Sequence, residues 1–321
     1  MATVLIAGGT GMIGKELCSM LLAKGYAVTV LTRNVHAAQQ KALEGVRYAA
    51  WNVQEQIIDP DAIRQADYIV NLAGENIGAR RWTKKHKQAL LESRINSCAT
   101  LVKALQEIPN QVKAVVQASG VDWYPADPVI PNPAPFTEDA PSSSGFLGEV
   151  CRQWEQSIAP VQQLGKRLVI LRTGIVLSKQ EGALDQFKKS VRFHMPALLG
   201  NGRQMISWIH IRDICGMYIH AIETEQLRGV YNAVAPVPVS NSTLMLELAR
   251  LVCGSVYLPV HVPAFVLKLI LGEMGAAVLK STTAGSEKIS RTGFQFSFPT
   301  IEAALRHLLT NHPSQTSGTT K

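Results

Sequence analysis

Short apolar runs alternate with amphipathic stretches along the first half of the chain. Residues 4–7 are apolar and end at a glycine, the pattern of a buried strand. Residues 12–24 carry Ile13, Leu17, Met20 and Leu21 at helical spacing and stop at Gly25, which predicts a helix. The alternation continues with strands over 27–31, 46–51 and 68–72, a polar helix over 36–43 and a helical turn over 61–64. A long helix over 84–106 and a strand over 112–118 follow, then a helix over 146–158 and a strand over 167–171. Strands joined through helices are parallel and buried on both faces. The fold expected is therefore α/β, a Rossmann-type doubly wound parallel sheet. The proline- and serine-rich segment 125–144 reads as a loop over the sheet edge.

After Gly182 the rhythm changes. A glycine turn at Gly200-Asn201-Gly202 precedes an extended piece over 207–210 and a helix over 211–223. From Val237 the pattern is mainly helical with proline breaks, predicting a small, mainly helical C-terminal lobe. The division expected is a cofactor domain over 1–180, a substrate-side and C-terminal lobe over 181–312 with some segments returning to the sheet, and a disordered tail over 313–321.

Composition alters this picture little. Apolar residues make up 46% and charged residues 17%, enough apolar material for a sizeable core. The net charge of +8 raises nucleic acid as a partner. The basic residues are dispersed, however, and the one dense run, Arg80 to Lys87, reads as a solvated helix start, so no nucleic-acid partner is expected. Five scattered cysteines without C-x-x-C or metal-ligand spacing fit free thiols in a reducing cytoplasm, and no metal is expected. Residues 3–7 run straight into the glycine loop, so no secretory signal is expected. The apolar stretch 256–271 is broken by Pro259, His261, Pro263 and Lys268, which argues against a membrane span.

The chemistry starts at Gly8-Gly9-Thr10-Gly11-Met12-Ile13-Gly14, between the first strand and the first helix. Gly8 permits the tight turn, Gly11 lets the backbone approach a pyrophosphate, and Gly14 lets the helix pack closely on the strand. The amides at the helix N-terminus then face the anion. Gly9 to Lys15 also fits most of a Walker loop, but Glu16 stands where Ser or Thr would bind magnesium, against an NTPase. The second strand ends in Leu31-Thr32-Arg33-Asn34 with no acid to accept from a ribose hydroxyl. Arg33 can pair with a 2′-phosphate, which favours NADP(H) over NAD(H).

These residues, with Leu31-Thr32-Arg33, Asn71-Leu72-Ala73-Gly74-Glu75-Asn76-Ile77, Arg81-Trp82-Thr83, Phe146-Leu147 with Cys151 and Trp154-Glu155, Arg172-Thr173-Gly174, Gly202-Arg203-Gln204 and Ser207-Trp208-Ile209-His210, resemble one family. It is the atypical extended short-chain dehydrogenase/reductases of the epimerase type, named variously for sugar-nucleotide epimerases and cell-division inhibitors. Leu271-Gly272-Glu273-Met274 and Gly293-Phe294-Gln295-Phe296 resemble the domain of unknown function that closes those proteins. The resemblance spans nearly the whole chain and implies an NADP-binding Rossmann domain with a C-terminal substrate lobe.

That resemblance also implies a Tyr-x-x-x-Lys pair, with the lysine lowering the tyrosine pKa. Here Leu147 and Cys151 stand at those places, and neither can do that work. Ser119 matches the serine region, and Asn96 with Thr100 the asparagine helix behind the site. Tyr124 and Asp122, on the loop leaving the fifth strand, are candidate proton donors, and Cys151 a candidate thiol nucleophile. Each also has a plain packing or solvation reading. Leu72, Ala73 and Gly74 are expected beside the cofactor ribose, with Glu75 and Asn76 toward the substrate. Arg203, Gln204 and His210 are expected to meet a small polar or nucleotide-linked substrate, although packing explains His210 equally well. Two functions stay open: an NADP(H)-dependent oxidoreductase or epimerase with a non-standard site, and a catalytically silent NADP(H)-binding sensor.

Overall fold

The computed structural model of the chain describes residues 1–40, 43–179 and 181–310. In chain order the first part runs β1 (Thr3–Ala7), α1 (Met12–Ala23), β2 (Ala27–Thr32), α2 (Val35–Gln39), β3 (Val46–Asn52), β4 (Ile57–Ile58), α3 (Pro60–Arg64), β5 (Tyr68–Asn71), α4 (Lys84–Glu107), β6 (Ala114–Gly120), α5 (Phe146–Ile158) and β7 (Arg167–Thr173). The second part adds β8 (Ile175–Leu177), α6 (Ala183–Val191), β9 (Ala197–Leu199), β10 (Met205–Ile206), β11 (Trp208–His210), α7 (Ile211–Glu223), β12 (Gly229–Ala233), β13 (Val239–Ser240), α8 (Asn241–Cys253), β14 (Val260–Val262), α9 (Ala264–Leu271), α10 (Met274–Leu279), α11 (Glu287–Ser290) and α12 (Ile301–Leu309).

Eight strands form the main sheet in the order β12-β7-β6-β5-β1-β2-β3-β4, and all neighbours are parallel except β3 and β4. The order reverses at β1: β2 and β3 extend one way, β5, β6 and β7 the other. Right-handed crossovers therefore put helices on both faces, with α1 packed on α7 and α4 on α5. Val4, Leu5, Ile6 and Ala7 are all fully buried, which is why β1 reads as a continuous apolar run. The expected doubly wound sheet is what the chain forms.

The predicted helix over 36–43 is the shorter α2, and residues 41–42 and the tail over 313–321 lie outside the described residues. From the later part of the chain, β12 pairs with β7 at the edge of the sheet. One continuous apolar cluster runs from Val4 to Leu308, so the C-terminal helices share the core of the sheet. Among the described residues no helix is long and apolar enough to cross a membrane, and no cluster of metal-ligating side chains occurs.

The segment 121–145 is held down by a buried carboxylate. Asp127 accepts from Ser281 Oγ at 2.7 Å, Thr283 Oγ1 at 2.8 Å, Thr283 N at 3.0 Å and Asn132 Nδ2 at 3.1 Å. Phe136 N donates to Thr283 O, and Ser207 Oγ donates to Thr282 O while accepting from Ala284 N. The strand-like stretch 281–285 is thus sewn both to the loop beyond β6 and to the turn between β10 and β11.

His210, expected at the substrate, has a different place. It is fully buried, its Nδ1 caps α7 by accepting from Arg212 N at 3.0 Å, and its ring stacks on Phe298 with centroids 3.8 Å apart. His307 Nδ1 lies 3.1 Å from its Nε2. Burial, with His307 and Arg212 adding to it, pushes its pKa from 6.5 down to about 3. The ring is a neutral cap in the folded chain and takes up a proton only when the chain unfolds. Its stabilisation is therefore complete above pH 6.5 and is lost as pH falls toward 3, by up to ~1.4 kcal/mol per pH unit. In urea unfolding between pH 7 and pH 4, His210→Asn, which keeps a cap acceptor, should show a shallower pH slope than the parent. Equal slopes would remove His210 as the source.

Candidate cofactor and active site

The turn after β1 is built by close backbone approach. Gly8 has φ +80°, and a Cβ on it would stand 2.8 Å from Leu72 C and 2.9 Å from Ala73 N. One on Gly14 would stand 2.5 Å from Gly8 O and Gly9 Cα, and one on Gly9 2.5 Å from Val30 Cγ2. Residues 8, 9 and 14 thus lock the loop between β1, β2 and the exit of β5. Gly11 is exposed beside Thr10 and is the N-cap of α1. No side chain caps that helix, and its first turn, with Met12, Ile13 and Gly14, holds no acid. An uncapped helix start above the sheet's reversal point is a ready anion cradle. Glu16 is turned to Arg212 at 3.5 Å and Lys15 to Glu181 at 2.9 Å, so neither side chain occupies the cradle in the manner of a Walker loop.

Arg33 follows β2 directly and is exposed, and among the described residues no hydrogen bond or ion pair engages its guanidinium. Its neighbour Asn34 is committed to capping α2 through Ala37 N. At the end of β5, Leu72 N donates to Ala7 O at 2.8 Å, and Ala73 N donates to Asn71 Oδ1 at 3.2 Å. Gly74 lies against Arg94, whose guanidinium carbon would be 3.1 Å from a Cβ there. Glu75 is held by Ser93 Oγ on its amide and pairs with Arg80 at 3.2 Å and His86 at 3.4 Å. Asn76 accepts from Gly78 N at 2.9 Å and so ends the loop.

The expected catalytic trio is not brought together as a proton-transfer site. Ser119 is buried and donates to Glu155 Oε1 at 2.7 Å. Arg172 grips the same carboxylate with two bonds of 2.9 and 3.0 Å, donates to Tyr124 Oη at 3.1 Å and Glu138 O at 2.9 Å, and stacks on Trp123. Tyr124, fully buried, donates to Asn232 Oδ1 at 2.6 Å. Burial pushes the phenol up to about 12 despite Arg172 beside it. The Tyr124 hydroxyl is a strut between β12 and β7, facing away from solvent, and Ser119 is a strut between β6 and α5. Asn96 is half-buried on α4, where its carbonyl accepts from Thr100 Oγ1 at 2.7 Å. Gln204 is buried and donates to Leu199 O at 3.1 Å, which makes it a brace of the turn before β10, while Arg203 stays exposed on that turn.

With this geometry stand the relationships to known proteins. Residues 4–233 match the model of the NAD dependent epimerase/dehydratase family, and residues 262–308 match a domain of unknown function, DUF1731. The chain belongs to the NAD dependent epimerase/dehydratase family. An epimerase family protein of Mycobacterium leprae is 34% identical over 98% of this chain and 97% of its own length, and one of Staphylococcus aureus is 33% identical over 96% and 99%. Among solved structures, the human epimerase family protein SDR39U1, crystallised with NADPH, superposes with TM-score 0.81 at 29% identity, covering 95% of this chain and 98% of that one. The UDP-glucuronic acid 4-epimerase of Bacillus cereus, at 18% identity and TM-score 0.76 over 95% and 96%, shares the fold.

On α5, neither Leu147 nor Cys151 offers a proton-exchange group. Leu147 is half-buried and carries no proton. Cys151 is buried, 3.6 Å from Gly120 O, and burial pushes its thiol up to about 12, the reverse of what a nucleophile needs. Sequence reasoning missed Arg94, although its spacing from Leu90 and Cys98 puts a charge on the buried face of α4. It also missed Arg172 as the centre of the buried network, and Lys280, which nothing local marks.

The buried Arg172–Glu155 pair predicts a sharp stability cost. Arg172→Met should destabilise the fold by ~3–5 kcal/mol, since it strands a buried carboxylate. Tyr124→Phe should cost ~1–3 kcal/mol and leave cofactor affinity unchanged. Urea titration and a binding assay on each variant check this, and a Tyr124→Phe variant as stable as the parent would contradict it.

Proposed function

We propose that the chain binds NADP(H) and acts as an oxidoreductase or epimerase on a small polar, nucleotide-linked or otherwise anionic substrate, through a site without Tyr-x-x-x-Lys. The carrying observation is Arg33 just after β2, uncommitted among the described residues, beside an uncapped helix start that only glycines could bring so close to the sheet. An acid at that strand end would accept from the ribose of NAD(H), whereas an arginine meets a 2′-phosphate with a charge-assisted pair. The NADPH in the human relative's crystal structure supports the same cofactor, at 29% identity over nearly the full length of both chains.

Bound nicotinamide would supply hydride chemistry. The chain's own part is to hold the pyrophosphate at Gly11 to Gly14, the adenosine phosphate at Arg33 and the nicotinamide half over the ends of β5 and β6, where Leu72, Ala73 and Gly74 present backbone. Exposed Arg203 is a candidate for a substrate anion. One observation favours the second reading, a cofactor-binding sensor without turnover: Ser119 and Tyr124 are both spent on buried struts.

Fluorescence titration with NADPH and NADH tests the cofactor assignment. NADPH should bind at least tenfold more tightly, and Arg33→Asp should weaken NADPH by about 10- to 100-fold, the range of a lost charged hydrogen bond. NADH affinity should fall little. Equal affinity of the parent for both dinucleotides would overturn the role of Arg33.

A further inference from the structure

The turn that leaves β6 gathers charged groups that the buried struts do not use. Asp122 sits on the 3-10 turn Val121–Trp123, directly after Gly120, and is half-buried. Lys280 reaches the same turn from the C-cap of α10, donating from Nζ to Tyr124 O at 2.5 Å. It lies within the C-terminal segment matched to the domain of unknown function. Behind them is Arg94, buried under Gly74 and over the Trp154 ring at 4.8 Å, with one bond to Leu90 O and no partner on Nε. Cys151 closes the group against Gly120. This is the carboxyl end of β6, two strands from β1 where the order reverses, on the edge of the sheet where doubly wound folds bind dinucleotides.

We propose that Lys280, set by the C-terminal domain on the turn that carries Asp122 and Tyr124, is the proton-exchange group of this site and takes the place of the missing tyrosine and lysine. The proposal rests on the cofactor reading above. During reduction of a substrate carbonyl, the C=O bonding pair moves to oxygen, which takes a proton. The Nζ–H bond of Lys280 breaks, the new O–H bond forms, and the amine pair left on nitrogen is protonated again from solvent. In the oxidative direction the neutral amine accepts the hydroxyl proton. Hydride comes from, or goes to, the nicotinamide.

The surroundings suit that task. Burial lowers the Lys280 pKa, opposed by Asp122, Cys151 and Asp127, which raise it. Burial raises that of Asp122, opposed by Lys280 and Arg94. A cation eased toward neutrality beside a carboxylate held by two cations is an acid–base pair drawn toward working pH. The clamp at Asp127 explains how a residue so far along the chain is placed: Ser281 and Thr283, bound to Asp127, leave the Lys280 backbone little freedom. The C-terminal domain then has a concrete role, as the carrier of one site residue.

Competitive acetylation with acetic anhydride, read by peptide mass spectrometry across pH, tests this on the full-length protein with NADPH as the probe. The Lys280 midpoint should lie below that of exposed Lys85, and Asp122→Asn should lower it further by removing the charge that raises it. Saturating NADPH should slow acetylation of Lys280 at least fivefold and leave Lys85 unchanged. Lys280 titrating with Lys85, or an unprotected Lys280 while fluorescence shows NADPH bound, would overturn the assignment and leave the cofactor reading standing. Absence of NADPH binding to the parent protein would overturn both. Because the midpoint and the protection are read on the parent protein, the decision does not depend on Asp122→Asn folding.

Discussion

The two-pronged contact between Arg172 and Glu155 organises the interior on which everything else is mounted. Both side chains are almost completely out of water, so neither charge could persist alone. Glu155 from α5 takes Ser119 of β6 and Arg172 of β7, and Arg172 in turn fixes Tyr124 and the Glu138 carbonyl. Asn232 of β12 closes the circuit by accepting from Tyr124 while its amide donates to Glu138. Burial works against the guanidinium charge, yet the Glu155 bonds outweigh it and hold Arg172 above its ordinary pKa. A single ion pair thereby fixes a helix, three strands and the loop over their ends.

That arrangement has a chemical consequence. The hydroxyl groups best placed in sequence to exchange protons are consumed as structural donors, and the turn between them is left rigid. The Tyr124 carbonyl accepts from Lys280, and a second buried carboxylate, Asp127, sews the C-terminal stretch to the same loop. The doubly wound half carries the glycine loop, and the C-terminal segment brings the Lys280 ammonium to the turn after β6.

The parts legible in the sequence are those set by local pattern. The glycine loop, β1, α1 and the Phe146–Ile158 helix depend on neighbours a few residues apart, so spacing alone reveals them. The place of Arg33 directly after β2 is readable too, because strand ends are local. What stayed hidden is non-local: the Asp127–Thr283 clamp spans 156 residues and the Lys280–Tyr124 contact spans the same distance. His210 stayed open between ligand and packing because a short motif beside a glycine turn looks alike whether it faces a ligand or a phenylalanine. Tyr124 was ambiguous for the same reason, since only the fold shows that Asn232 waits for its hydroxyl.

The claim beneath the whole account is that the reversal point of the sheet holds an NADP-type dinucleotide. A crystal structure of the protein grown with millimolar NADPH tests it most directly. The account predicts pyrophosphate density over Gly11 to Gly14, the 2′-phosphate against Arg33 and the nicotinamide beside Asp122 and Lys280. Cofactor bound elsewhere, or a glycine loop still empty at that concentration, would contradict it.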